Sequence, residues 1–364
     1  MNRESYLKKF HELTFDNIKS GLGIITKIDV QLDNCYKMNG STYYDSNKKL
    51  FDEEQIVALE HEISKKIKHI LDSPVLDNKI DYMHAALRYI KVLIIEENGE
   101  YIVSRKISGN QFIHLIIYVK ENVDATLYLN TKTDNKELSF TPVSTEFIDI
   151  IVNNRSSVHF IELRDYGNKY FLYSRKKAHI GEYANIYWTN IEGPAKLNIT
   201  ELHSSINGKD SESIMNTIVL AKNSEYNIFT RTDHNAMNTK SLMHAGTIMS
   251  DSKSIMRGLV YIDENARNSN GYQKTEMLLL DNNSRAISIP DLEIHNNDVR
   301  CTHGSSITRP DAEKIFYIQS RGLNQEESKK LIIKGFYDSL LSEVPNGLRD
   351  NISNEIEEIL YEKK

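Results

Sequence analysis

Apolar positions follow three regimes along the chain. In the first, Ile56, Leu59, Ile63, Ile67 and Ile70 recur at intervals of three and four residues. That spacing places side chains on one face of an α-helix. Asp52 precedes the run as a candidate cap, and Pro74 follows it as a stop. A shorter helical stretch is predicted near Ile80–Tyr89, and residues 1–95 as a whole read as mostly helical.

From about Lys91 the helical period disappears. Short β-rich runs take its place: Val92–Glu96, Tyr101–Ser104, Phe112–Val119, Ala125–Leu129, Phe147–Val152, Val158–Leu163, Tyr170–Tyr173, Asn185–Thr189, Lys196–Thr200, Thr217–Leu220, Tyr226–Thr230, Ser254–Tyr261 and Met277–Leu280. Clusters of Asn, Asp, Gly and Ser separate them, and no helix-length apolar period occurs between Lys91 and Asp311. Many short strands with frequent turns predict a sandwich, a barrel or a β-solenoid. No repeat of fixed period selects the solenoid. A β region of roughly 210 residues is nevertheless large for one sandwich, which tilts the expectation towards stacked coils.

After His303 the helical period returns. Pro310 suits a first turn and Gly322 a stop, which brackets a short helix over Asp311–Ser320. Asn324, with Glu327 at the capping-box position, opens the next helix. Leu331, Ile332, Phe336, Leu340 and Leu341 form its apolar face, and an acidic helix near Asn351–Tyr361 follows. The predicted organisation is a helical region over 1–95, a β core over 96–308 and a helical domain over 309–364.

Composition narrows the classes. The chain has 364 residues and a formal net charge of −6. It offers no strong basic field, so nucleic acid is not expected as a partner. The first residues lack the apolar run of a signal peptide. The longest apolar run, Phe112–Val119, contains His114 and is too short to span a bilayer. A soluble cytoplasmic protein with no membrane partner is therefore expected. Cys35 and Cys301 are the only cysteines, which leaves no disulfide framework.

Most candidate motifs dissolve on inspection. Gly246–Ser254 lacks the second glycine and the spacing of a phosphate-binding loop, and Gly21–Gly23 lacks the third glycine of a dinucleotide loop. No nucleotide is expected in this chain. His61, Glu62 and His69 miss the zinc-protease pattern because Lys65 stands where the second histidine belongs, so they read as solvated helix positions. Asp165, Asp210 and Asp233 have no spacing that marks a hydrolase pair, and His234 reads as a hydrogen-bonded core or turn histidine.

Cys301 and His303 remain. Residues i and i+2 of a strand share a face. The pair is either structural or two ligands of an unfinished site, since a thiolate and an imidazole suit iron, zinc or copper. Two ligands cannot close a four-coordinate site, so the others would come from elsewhere, such as another chain.

Three segments in order carry a family resemblance: Leu292–Ile294 with Asp298–Gly304, then Ile315–Gly322, then Leu331–Phe336. Together they resemble the C-terminal signature of the SufB/SufD family, scaffold components of the SUF iron–sulfur cluster assembly system. Asp233–Ser241, Arg257–Gly258 and Met277–Asp281 resemble the family as well, so the likeness covers about residues 230–340. The resemblance implies a mainly β fold, a right-handed parallel β-helix flanked by helical regions. It implies pairing with a SufB-like chain through the β-helix, with a homodimer possible in isolation. It also implies recruitment of the SufC ATPase through the C-terminal helical domain, with Ile315, Phe316, Tyr317, Arg321, Gly322 and Phe336 as the candidate contact residues. The chain itself would be a non-catalytic scaffold, and ATPase activity would reside in SufC.

SufB-like members carry a β-helix cysteine central to cluster building, and the ungapped position here is Thr275. They also carry a glutamate after the late histidine, where this chain has Gly304. Both departures imply a SufD-like member. In that case His303 would contribute to a transient iron–sulfur cluster shared with the partner subunit, with Cys301 as the weaker candidate. A SufB-like homodimeric scaffold is the alternative. A carbohydrate-active β-helix enzyme with a carboxylate-lined groove is a third reading.

Overall fold

The β-rich runs stack in parallel register instead of folding into hairpins. The computed structural model describes residues 3–13, 17–20, 24–27, 41–72, 76–134 and 139–361, with the backbone alone for 17–20 and 24–27. Gly21, Gly23, Cys35 and Pro74 lie outside the described residues. Sheet I contains β3 (Ser41–Ser46), β6 (Gly99–Ser108), β8 (Asp124–Thr133), β10 (Ser157–Asp165), β12 (Asn185–Glu192), β14 (Glu212–Lys222), β16 (Lys240–Ser250), β18 (Ser269–Leu279) and β20 (Val299–Thr308). Sheet II contains β4 (Leu50–Asp52), β5 (Tyr89–Ile95), β7 (Gln111–Val119), β9 (Val143–Val152), β11 (Phe171–Ile180), β13 (Leu197–Ile206), β15 (Glu225–His234), β17 (Lys253–Ile262) and β19 (Arg285–Ile294). A separate antiparallel pair joins β1 (Asn17–Ser20) to β2 (Ile24–Lys27). From β5 onwards the chain alternates between the sheets, and each strand pairs in parallel with the strand two places on. The result is a parallel β-helix of about eight turns.

Its corners explain why no sequence repeat is visible. At six successive sheet II to sheet I corners the chain enters the left-handed region at Asn122, Arg155, Tyr183, Asp210, Asn238 and Asn268. None of these is glycine, and their spacing drifts between 27 and 33 residues. Each donates its backbone N–H to a carbonyl of the following coil, for example Arg155 to Glu182 (2.9 Å) and Asn238 to Arg267 (2.9 Å), so the hydrogen-bond ladder continues through the corner. Hydroxyls brace the same turns: Ser156, Ser211 and Ser269 accept from the backbone N–H of Val123, Ala184 and Thr239 one coil earlier.

In-register stacking arranges interior side chains in columns. One column runs Tyr101, Leu127, Phe160, Trp188, Met215, Met243, Gln273, His303. Another part of the interior holds six buried charges. Arg105 pairs with Glu146, Glu146 with Arg164 (3.7 Å), Arg164 with Glu192, Glu192 with Lys176 (3.5 Å), Lys176 with Glu162, and Glu162 with Arg105 (3.5 Å). The ring closes with alternating sign, and every member side chain is at most 1% exposed. Such a ring is tolerated because no charge lacks an opposite neighbour.

Helices cover the outer faces. α1 (Arg3–Glu12) and α3 (Lys79–Leu87) pack Phe10, Ile80 and Met83 on Phe147, Phe171 and Tyr173 of sheet II. α2 (His61–Asp72) packs Ile63, Ile67 and Leu71 nearby on Ile90, Val92 and Ile116. The predicted Asp52 helix is interrupted: Glu53–Ala58 is a 3-10 segment, and extended Leu59 separates it from α2. Strands inside 1–95 also make that stretch less helical than its periodicity predicts. β3 and β4 lie antiparallel on β6 and β5, and so cap the first coil on both sheets. At six and three residues they are too short for a period to declare itself.

Three C-terminal helices follow the solenoid: α4 (Ala312–Gln319), α5 (Gln325–Asp338) and α6 (Asn346–Tyr361). Ile333, Tyr337, Leu340, Ile352 and Ile356 bury against Ile161, Leu163, Ile191, Ile218 and Ile248 on the outer face of sheet I. Gly246 permits the close approach, because a Cβ there would lie 2.3 Å from Leu340 Cδ1.

Two outcomes follow from this packing. Gly246→Val should destabilise the docked helices by about 1–3 kcal/mol, as overpacking does, and raise hydrogen exchange in α5 and α6 ahead of the solenoid. The second concerns the ring. Burial pushes the Glu162 carboxyl up to about 7 against the attraction of Lys176. A carboxyl with a folded pKa above its unfolded value stabilises fully below the unfolded value, here 4.5, and loses that contribution as pH rises through about 7. The melting-temperature advantage of wild type over Glu162→Gln should therefore shrink between pH 4.5 and 7.5. A constant difference would show that Glu162 does not titrate there.

Candidate functional site at the open end of the solenoid

The two ends of the solenoid differ. β3 and β4 cover the first coil, whereas β19 and β20 have no strand on their outer edges among the described residues. Both edge strands have ten residues, and an unpaired edge of that length is a ready template for another chain.

The interior-facing residues of the last coil are left uncovered. Ile294 stacks on Ile262 and Ile307 on Met277. The inner partners are 0% exposed, yet Ile294 is 41% and Ile307 48% exposed. Leu292, Val299 and Cys301 still reach the main interior core. Cys301, His303, Ser305 and Ile307 continue the columns of Gly271, Gln273, Thr275 and Met277, so all four belong to the interior face.

Within this surface, the sequence-predicted pair divides. His303 is exposed and has no hydrogen-bond partner among the described residues. Cys301 is half-buried and packs inward. A Cβ on Gly271 would lie 3.3 Å from Cys301 Sγ, 3.5 Å from His234 Nε2 and 2.7 Å from Val260 Cγ1. Burial pushes the Cys301 thiol up to about 11, so it is protonated near neutrality and a poor ligand in the free chain. His234 is buried with Nδ1 2.7 Å from Thr239 Oγ1 and Nε2 2.8 Å from Ser241 Oγ. Burial pulls its pKa down to about 4, as suits a core histidine. Thr275 lies in the interior, 8% exposed.

The remaining sequence candidates scatter. Asp233 is tied to His203 (2.7 Å) and Arg231 (2.6 Å) on the outer face of sheet II. Asp210 occupies a corner, where its Oδ1 accepts from Asn238, and Asp165 closes a turn by accepting from the Gly167 backbone. The three carboxylates do not converge. His61, Glu62 and His69 are exposed on α2. A cleft of about 750 Å³ opens between α2–α3 and sheet II. Its polar groups are largely paired to one another, as in His114 with Asp149 (2.8 Å) and Arg175 with Glu201 (3.0 Å). No group of three His, Cys, Asp or Glu among the described residues has metal-binding geometry.

A second exposed surface adjoins the open end. α4 begins four residues after β20 ends, and none of its residues is buried. Phe316 is 72% and Tyr317 59% exposed, with Leu323 and Leu331 exposed nearby. Ile315 is half-buried, and Gly322 ends the segment at φ +101°. Arg321 folds over Tyr317, donating to its hydroxyl at 3.0 Å. Phe336 is largely engaged within the chain, its ring within 3.1 Å of where a Gly246 Cβ would be. Sequence pattern had no means of separating Phe336 from Phe316, since both occupy helical apolar positions.

Comparison with known proteins agrees with the geometry. Residues 101–336 match the family model described as SUF system FeS cluster assembly, SufBD core domain. Iron–sulfur cluster assembly SufBD family proteins of Staphylococcus saprophyticus, Staphylococcus haemolyticus and Staphylococcus aureus are each 25% identical over 200 residues. Those matches cover 54% of this chain and 43% of each relative, so the matched region spans less than half the length of these curated relatives. No helix among the described residues is long and apolar enough to cross a membrane.

The state of Cys301 has a direct readout. Peptide-resolved alkylation by iodoacetamide at pH 7.5 should be much slower at Cys301 in the native chain than after denaturation. Equal rates would place a reactive thiolate at the open end.

Proposed function

The chain belongs to the SufBD family of the SUF system, and on that premise we propose that it is a SufD-like, non-catalytic scaffold subunit for iron–sulfur cluster assembly. One observation carries the reading: the interior face of the last coil is left without a cover, and His303 is exposed within it. A SufB-type chain adding its strands to β19 and β20 would bury Ile294 and Ile307, satisfy the free edges, and enclose His303 beside its own ligands. A neutral imidazole can ligate iron, and a cluster shared between chains needs only part of its ligand set from each.

Two positions favour SufD over SufB. Thr275 occupies an interior position where SufB-like members have a cysteine, and a hydroxyl is a weak sulfur acceptor beside a thiolate. Gly304 is not required by packing, since a Cβ there would meet only the Tyr272 hydroxyl at 3.6 Å. The absence of a glutamate there is thus a chemical difference rather than a steric one.

The exposed Phe316 and Tyr317 suit a SufC-type ATPase, with Ile315, Arg321 and Gly322 shaping that surface. Nucleotide-driven movement of SufC would bias the open end between two arrangements, with the energy coming from the partner's ATP.

Anaerobic co-expression with SufB-type and SufC-type chains tests the proposal, with purification through a tag on this chain. A three-component complex carrying iron and sulfide, much depleted in His303→Ala, is the expected result. Equal cluster content in both would remove His303 from the site. A complex of this chain and SufC alone, with full cluster content, would favour a homodimeric SufB-like scaffold.

A further inference from the structure

The column that ends at His303 changes character before its last rung. Trp188, Met215 and Met243 are buried and apolar, but the next residue is Gln273, 3% exposed. Its side chain crosses the interior. Nε2 donates to the backbone carbonyl of Asp291 in sheet II at 3.0 Å, while Oε1 lies over Gly258, where a Cβ would come within 2.2 Å. Gln273 thus ties β18 to β19 one rung behind His303, and parallel rungs are only about 4.8 Å apart.

We propose that Gln273 is a positioning residue for His303. By filling the interior behind the last rung, it denies the His303 imidazole an inward rotamer and holds it at the open face. This rests on the reading that His303 serves the site, but the geometric effect belongs to the isolated chain. The bare Gly258 is part of the device, because any side chain there would displace the carboxamide from the cross-brace. A shorter residue at 273 would leave a void over Met243. An imidazole one rung away would turn into that void, as the buried His234 ring is turned inward onto Thr239 and Ser241. A side chain of equal length would keep the void closed without the amide.

Carbethoxylation by diethyl pyrocarbonate reads this directly. Mass spectrometry would give the rate at His303, with exposed His295 as the internal reference. Gln273→Ala and Gln273→Thr should slow modification at His303 several-fold relative to His295, and Gln273→Met should restore the wild-type ratio. If the alanine variant fails to fold, the threonine and methionine pair carries the comparison. An unchanged ratio in the threonine variant overturns the proposal, and so does a methionine variant that behaves like threonine. Iron content of the co-expressed complex separates this from the functional reading. Slower modification with full iron would leave the positioning intact and remove His303 as a ligand.

Discussion

In a parallel solenoid, each interior side chain is covered by the same position of the next coil. That constraint fixes the rest of the structure. It holds the columns in register, obliges every interior charge to find its opposite among neighbouring rungs, and leaves one surface uncovered wherever stacking stops. The Arg105–Glu146–Arg164–Glu192–Lys176–Glu162 ring satisfies it internally, since each charge lies between two of opposite sign. β3 and β4 satisfy it at the first coil by adding antiparallel strands. Nothing among the described residues does so at the last coil, where Ile294 and Ile307 remain open. The candidate site is this unsatisfied end rather than a cleft.

Placement of the C-terminal helices follows from the same end. Only Arg309, Pro310 and Asp311 separate β20 from α4. α5 and α6 fold back across sheet I and are pinned there by the close approach at Gly246. α4 stays unburied between the open edge and the pinned helices. A partner that grips Phe316 and Tyr317 would therefore have a short, proline-stiffened lever onto β20. In the proposed account, that lever couples an ATPase cycle to the scaffold's open end.

Much of this was legible in the chain, and the gaps have physical causes. Every β-rich run fell on a strand, but the strands extend further, because their remaining positions carry polar residues such as Lys132 and Ser205 or members of the charged ring. β16, β19 and β20 contributed no run: His244, Gly246 and Asp291 interrupt the outward positions, and Pro290, His303 and Ser305 take inward ones. The repeat escaped notice because its corners use Arg155 and Tyr183 as readily as Asn, at uneven spacing. The shared face of Cys301 and His303 followed from strand geometry. Depth was invisible. Sequence spacing gives the side of a strand, and only the coil count shows that this strand is the last. Gln273 escaped for the same reason, because a lone glutamine has no spacing to announce it.

The account's central claim is that another chain covers the last coil. Amide hydrogen exchange over residues 285–308, with and without a SufB-type partner, tests it most directly. The free chain should exchange readily along the outer edges of β19 and β20, and the complex should protect both strands together. A stable complex that leaves those two strands unprotected, with protection gained on another face, would contradict the claim.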